Sequence, residues 1–495
     1  MFRRNSSYDS SESGQVLIIF AFAFIAIIMT LALLFDGARG LVLRRQLQDA
    51  SDAAALAGAN VIQGLSPQQC SLTVGPPLGA PVAAVTAAAK ASVAANLPQY
   101  PQANVLVTCV AGYDNYAVKV HLAANSPTFF GQIFGGGPLS LQTDSSAVNG
   151  NTNINAYSVV MLDPMNLAWP NGQRGCPSFL LSGGPTVIFD SSIYIDSACT
   201  AANGGAMSTN GNSASLTQGS GSTIRIVGEY KPQALVITPP PLNYQPYKPD
   251  PLAWLVAPPV STLKVQSNNK LIIGQGQSSS TVILEPGVYK GGIQLKNQSI
   301  AYLHPGIYVM DGGGFQIGAG QKVYAIPANK SNTTDATWAT DCLTTNCGIL
   351  LYNTGTAANG TGQLSQVSIG AQSTFKVRSY NNTFDTTKLA SGAAYSNSTY
   401  KNLLIWQSAA PIPTSSYVQP LMALTGGGNV FMQGTIYAPS AKIQMGGNSG
   451  GSGGDSVDLT LQFISWDLEL YGNSSFRFRY NAAQFARLLD YGLIE

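Results

Sequence analysis

Only two histidines, His121 and His304, could serve this chain as a general base, and that scarcity constrains every catalytic reading. Gly447-Asn448-Ser449-Gly450-Gly451 fits the G-x-S-x-G pattern of a nucleophilic serine. That pattern does chemistry only on a sharp turn from strand to helix, and here it lies in a Gly/Ser tract. The adjoining Gly450-Gly451-Ser452-Gly453-Gly454-Asp455-Ser456-Val457-Asp458 fits one calcium-binding nonapeptide. Such sites form between consecutive copies, and a single copy reads as a loop whose Asp455 and Asp458 are the Ca²⁺ candidates through their oxygens. Asp190 and Asp196, six residues apart, are the carboxylates to consider for glycoside cleavage, which needs a pair in defined roles. Neither has an identifiable acid partner. His121 falls on the polar side of an alternating strand and reads as a surface residue. No Cys, His, Asp and Glu cluster has transition-metal spacing. The reading is therefore no catalytic residue, no cofactor and no enzyme.

The six cysteines, Cys70, Cys109, Cys176, Cys199, Cys342 and Cys347, include no C-x-x-C pair. An even number outside a reducing compartment reads as disulfides. Order alone allows about 15 pairings; neighbours in sequence are the expected set, with free buried thiols as the alternative.

What must position these residues begins near the N-terminus. Residues 16–35 carry no charge, and Thr30 is their one polar side chain. Twenty such residues match the length of a membrane-spanning helix. Fourteen are Val, Leu, Ile or Phe, which together favour insertion by about 4–8 kcal/mol. Val16, Ile19, Phe24, Ile28 and Leu34 sample this anchor. Its length and flanks favour an uncleaved anchor over a signal peptide. Beyond it, Leu43, Leu47, Ala50, Ala54, Ala57 and Val61 recur as one helix face, for packing on a neighbouring subunit or on the chain's own domain.

The order GQVLIIFAFAF, DGARGLVLRRQLQ and DASDAAALAGA resembles the N-terminal region of TadG-like and TadE-like proteins of bacterial Flp (tight adherence) pilus assembly. The resemblance covers about the first sixty residues. It implies a bacterial envelope protein with a short cytoplasmic N-terminus, a single span and an exported body. One departure from the prepilin pattern is Ile19, where processed prepilins carry Glu.

Behind the anchor, residues 81–97 read as a helix that opens with Pro and stops before Pro98. Strands at 104–110, 116–122 and 139–148, with a short helix from Ser126, make a small α+β module. From Asn149 the pattern becomes β with Gly, Ser and Asn turns. Leu284-Glu285-Pro286-Gly287-Val288-Tyr289 returns as Leu303-His304-Pro305-Gly306-Ile307-Tyr308. Gly291-Gly292-Ile293-Gln294-Leu295 returns as Gly313-Gly314-Phe315-Gln316-Ile317, and Met445-Gly446-Gly447-Asn448-Ser449 echoes Leu470-Tyr471-Gly472-Asn473-Ser474. Self-similarity at this period, with strands of a few residues, is the mark of a stacked β-solenoid rather than a sandwich.

The fold class expected is mainly β: a transmembrane helix and small α+β module followed by a right-handed parallel β-helix. The boundaries are 1–15 for the cytoplasmic N-terminus, 16–35 for the span, 36–150 for the helix plus α+β module and 151–495 for the solenoid. Within the last, 238–259 is a proline-rich strap and 481–489 an amphipathic cap helix. Charged residues are only 10% of 495 and the net charge is +2, which suits an exported turn-rich protein and argues against a nucleic-acid partner. The expected partners are the lipid bilayer, pilus-assembly or envelope proteins and a surface glycan. The function expected is non-enzymatic pilus assembly, anchoring or adhesion. A surface protein that binds or cleaves carbohydrate on a pilus-type anchor is the alternative.

Overall fold

The computed structural model describes residues 13–494 except 63–69, 72–78, 111–116, 151–156, 164–175, 212–213, 232–235, 249, 277, 343–345, 356–365, 410–420, 426–429, 447–456, 474, 487 and 489. The chain is mainly β with an apolar N-terminal helix, and it divides into two units, 1–152 with 489–495, and 153–488.

The smaller unit is built on one uninterrupted helix, α1 (Ser13–Ile62). Its lower half packs against α2 (Ala83–Asn96) and against a four-stranded antiparallel sheet. Three of those strands are β1 (Leu106–Val110), β2 (Ala117–Ser126) and β3 (Leu139–Gly150). The fourth is Asp490–Ile494, which pairs with β3 from Asp490 opposite Gly150 to Ile494 opposite Ser146. In β2, Val118, Val120 and Leu122 are fully buried while Lys119 and His121 alternate outward, as a one-sided sheet requires. The short helix expected from Ser126 forms a few residues later, as a 3-10 turn at Gly131–Phe134.

The buried face of α1 differs from the expected stripe. Leu47, Ala50 and Ala54 are buried as expected, but the lower turns bury Ser51, Ala55, Gly58, Ala59 and Ile62, leaving Ala57 and Val61 half-buried. The helix is wedged between α2 and the sheet, so two flanks are covered rather than one. Gly58 lies at the tightest point: a Cβ there would sit 3.3 Å from Val118 and 3.5 Å from Val85.

Among the described residues the larger unit forms a 25-stranded sheet in which most strands pair in parallel with the strand three further along the chain. Three ladders result. One passes through Gly287–Lys290, Gly306–Asp311, Gly348–Thr354 and Leu403–Gln407. A second passes through Ile293–Leu295, Phe315–Ile317, Val367–Ile369 and Leu421–Thr425. The third passes through Thr281–Leu284, Ile300–Leu303, Lys322–Ala325 and Thr374–Ser379. Ile293, Phe315, Val367 and Met422 stand in register, all fully buried.

The duplicated motif has a local cause. Tyr289 donates its hydroxyl to Glu285 O at 2.6 Å, and Tyr308 makes the equivalent bond to His304 O at 2.7 Å. Each tyrosine thus ties down its own Pro-Gly corner, and the two rings stack 6.2 Å apart. The corner demands glycine: Gly306 has φ of 148°, and a Cβ there would fall 2.6 Å from Pro286 and from Thr387 Oγ1.

The ladders do not run in simple chain order. Phe463 pairs with Val159 and Leu468 with Phe179, so the segment that opens this unit docks on the segment that ends it. The ladders continue through Ser192–Ile195 and Ile224–Ile226. The proline-rich strap then leads back to Val265–Ser267, which pairs with Gly287–Lys290 at the other extreme. The strap is held on the way by Tyr194 to Pro246 O, by Tyr437 to the Asp250 carboxylate at 2.6 Å and by Tyr400 to Val256 O at 2.8 Å. Beneath it lies a second apolar layer that includes Tyr352, Trp406, Tyr437 and Leu252, outside the layer between the ladders.

Among the described residues of 481–489 the expected cap helix does not form. Asn481 accepts the Ala483 N–H and closes a single 3-10 turn, Ala482–Gln484. The Ala486 N–H then bonds Thr435 Oγ1 at 2.6 Å, which fixes the segment along the sheet, and the chain becomes strand at Asp490.

Candidate membrane anchor and its packing

From Leu17 the described upper half of α1 is apolar and exposed: Ile19, Phe24, Ile28 and Leu34 all project outward. Val16 is helical. The run from Leu17 is long and apolar enough to cross a bilayer, with no part of its most apolar window buried by protein. Thr30, its one hydroxyl, is satisfied within the helix by Ala26 O at 2.8 Å, the usual solution for a polar group facing lipid.

The first charge after this run is Asp36, and it does not start a turn, since the helix continues through Gly37 and Gly40. Its carboxylate accepts the backbone N–H groups of Phe129, Phe130 and Gly131 at 2.8, 3.0 and 2.9 Å. Burial by itself would raise the Asp36 pKa, but the three N–H donors and the nearby Arg39 outweigh it and hold the group below the ordinary carboxylate range. Asp36 therefore fastens the loop between β2 and β3 to α1. One turn further, Gly40 lets Leu139 approach, with a Cβ position 3.3 Å from its Cδ1.

A second clasp lies lower. Ser51 and Ser145 hydroxyls are 2.6 Å apart, Ser145 donates to Asp52 at 2.5 Å, and Gln48 donates to Asp52 at 2.8 Å. Asn149 donates to Ala59 O at 3.0 Å. Gln48 and Asp52 thus hold α1 to β3. The Ala-rich face packs within its own unit. Neither clasp was foreseen; the signal for the first was an isolated carboxylate after twenty uncharged residues.

All three expected disulfides form: Cys70–Cys109, Cys176–Cys199 and Cys342–Cys347, with Cα separations of 5.9, 6.0 and 5.7 Å. The chemistry-bearing candidates are dispersed. His121 lies 2.9 Å from Asp144, and His304 lies 2.9 Å from both Glu285 and Lys330 O. Asp190 pairs with Arg477 at 3.3 Å. Asp196 is fully buried beside the strap, accepting the Lys248 N–H at 2.9 Å. The two carboxylates have separate partners. Ser449 and Asp455 lie outside the described residues; Asp458 is in a strand, in register with Arg477. Among the described residues no group of three or more His, Cys, Asp or Glu could hold a metal ion.

Residues 14–61, which coincide with α1, match the family model described as putative Flp pilus-assembly TadE/G-like. No curated protein and no solved structure matches the chain.

Proposed function

We propose that this chain is a membrane-anchored, exported envelope protein that acts in Flp pilus assembly by contact rather than by catalysis. The observation that carries the reading is the coincidence of the TadE/G-like match with a single helix whose upper half is apolar and unburied and whose lower half is the core of a folded unit. One rigid rod thereby joins a bilayer to a protein domain. In this reading the three parallel ladders are the faces of a right-handed parallel β-helix, single-pass anchored at a bacterial cell membrane with its body outside the cytoplasm. That body offers repeated surface to other assembly or envelope proteins, and to a surface glycan. Three internal disulfides favour a body outside the reducing cytoplasm. The separate engagement of Asp190 and Asp196 favours contact over glycoside chemistry.

The test combines a chromosomal deletion with protease and thiol accessibility. Deletion should abolish piliation, and the full chain should restore it. In cells opened only at the outer barrier, protease should reach the body while a tag before residue 13 stays protected, and no thiol should react without reductant. Normal piliation in the deletion, or reactive thiols in a protease-protected body, would refute it.

A further inference from the structure

We propose that the loop clasped by Asp36 is a second membrane contact, an apolar wedge that seats in the interfacial layer of the bilayer from which α1 emerges. The proposal rests on the anchor reading above. Asp36 directly follows the uncharged run, so the point where it grips the loop lies within one helical turn of the end of the hydrocarbon span. The grip is on backbone N–H groups, which leaves the side chains of the loop free to face elsewhere. Phe129 does so: it is 68% exposed although its own N–H is bound. Its ring meets Phe130 edge-on at 5.1 Å, so the two form one apolar knob.

Other apolar side chains stand at the same height. Leu139, which enters β3 beside Gly40, is exposed, as are Leu41 and Val42 on α1. The helical distance from Asp36 to Val42 is about 9 Å, close to the thickness of one interfacial layer, about 5–8 Å. Asp36 holds the loop one residue beyond Leu34 and Phe35, both exposed, which argues for lipid as the occupant rather than a separate protein. Arg39 stands within this stretch, and Arg44 and Arg45 follow in the next turn, where a headgroup layer accepts cations. An apolar knob with basic residues beside and just below it is the composition of an interfacial contact. The carboxylate of Asp36 is not exposed to lipid, because the loop it binds covers it.

A wedge at this place would do what a lone helix cannot. A single span rotates freely about its axis and tilts readily, whereas a lateral knob fixed to it selects one rotation and one tilt for everything attached below.

The test places a nitroxide on a single added cysteine, since the native cysteines are all paired. Full-length chain bearing Phe129→Cys, Phe24→Cys or Val256→Cys is labelled and reconstituted in liposomes of phosphatidylcholine with phosphatidylglycerol. Collision rates with oxygen, which partitions into lipid, and with a water-soluble nickel chelate then report depth. Phe129 and Val256 are exposed, so their variants should fold. The label at 24 should favour oxygen strongly and the label at 256 the chelate. The label at 129 should fall between, with oxygen ahead of the chelate. If 24 reports lipid while 129 matches 256, the wedge is refuted and the anchor stands. If 24 also reports water, the anchor reading fails and takes the wedge with it. A label at 129 shielded from both relaxants means a protein covers the patch, and that too overturns the proposal.

Discussion

Replacing Asp196 with Asn should abolish the pH dependence with which the proline-rich strap is held. Asp196 follows Ser192–Ile195 and is fully buried, with one oxygen on the Lys248 N–H and the other without a hydrogen-bond partner among the described residues. Burial above all pushes its pKa up to about 7; the Lys248 N–H and charge oppose the rise, and Asp250 adds to it. In the unfolded chain the group titrates near its ordinary value of 3.8. Between these values the unfolded chain sheds the proton while the folded one keeps it, so stability declines as pH rises. The slope is about 1.4 kcal/mol per pH unit and the total roughly 4 kcal/mol, reached near pH 7 and constant above it. Asn cannot ionise, and its carbonyl can still accept the Lys248 N–H. Its amide N–H₂ inherits the unpartnered position at a cost of about 1–3 kcal/mol. At pH 8 the variant should therefore hold the strap more tightly than the native chain by roughly 1–3 kcal/mol, the difference between relief and cost. At pH 4.5 the order should reverse. Amide hydrogen exchange of residues 246–256 in the full-length chain, corrected for intrinsic rates across pH 4.5 to 8.5, measures this directly. Flat native protection over that range, or a variant less protected at pH 8, would refute the assignment.

Further outcomes follow from other contacts. Asp36, with its pKa held below the ordinary value, contributes stability that is present above the carboxylate range and lost as pH falls through its folded pKa. Asp36→Asn should accelerate exchange of the Phe129, Phe130 and Gly131 amides at pH 7, and the native chain should approach the variant in acid. Removing the disulfides pairwise to Ser should lower urea midpoints in the order of their sequence separations, 39, 23 and 5 residues. Loop-closure entropy gives about 4, 3 and 2 kcal/mol for them. Tyr308→Phe removes a buried hydroxyl that reaches both Leu284 O at 2.8 Å and His304 O at 2.7 Å. It should cost about 1–3 kcal/mol in a denaturant titration. Gly306→Ala, with its Cβ forced onto Pro286 and Thr387, should cost at least about 1–3 kcal/mol by the same measurement.

Legibility in sequence followed locality. The run of twenty uncharged residues and the helix after it were visible because helical periodicity is written in adjacent residues. The Pro-Gly-Val/Ile-Tyr repeats marked segments that do lie side by side, as the stacked Tyr289 and Tyr308 rings attest. Nothing marked the docking of Phe463 on Val159, because parallel pairing between remote segments leaves no pattern beyond alternating apolar residues. The helix expected at 481–489, of which the described residues form only a 3-10 turn, shows the same limit. Asn481 is a sound helix-start signal, but the Ala486 N–H is claimed by Thr435 Oγ1, some fifty residues away, and no local rule foresees that competition. The clasp at Asp36 leaves no local signature, since its three partners are more than ninety residues downstream.

Residues 490–494 supply the strand that flanks β3, although some 340 residues of the larger unit intervene in the chain. If the body is exported as proposed, the sheet packed on α1 keeps one edge of β3 bare until residues 490–494 arrive. A chain interrupted anywhere in the larger unit would keep that edge unpaired, an open template for aggregation or for recognition by quality-control machinery. Completion of the sheet packed on α1 thereby reports that the intervening chain is whole.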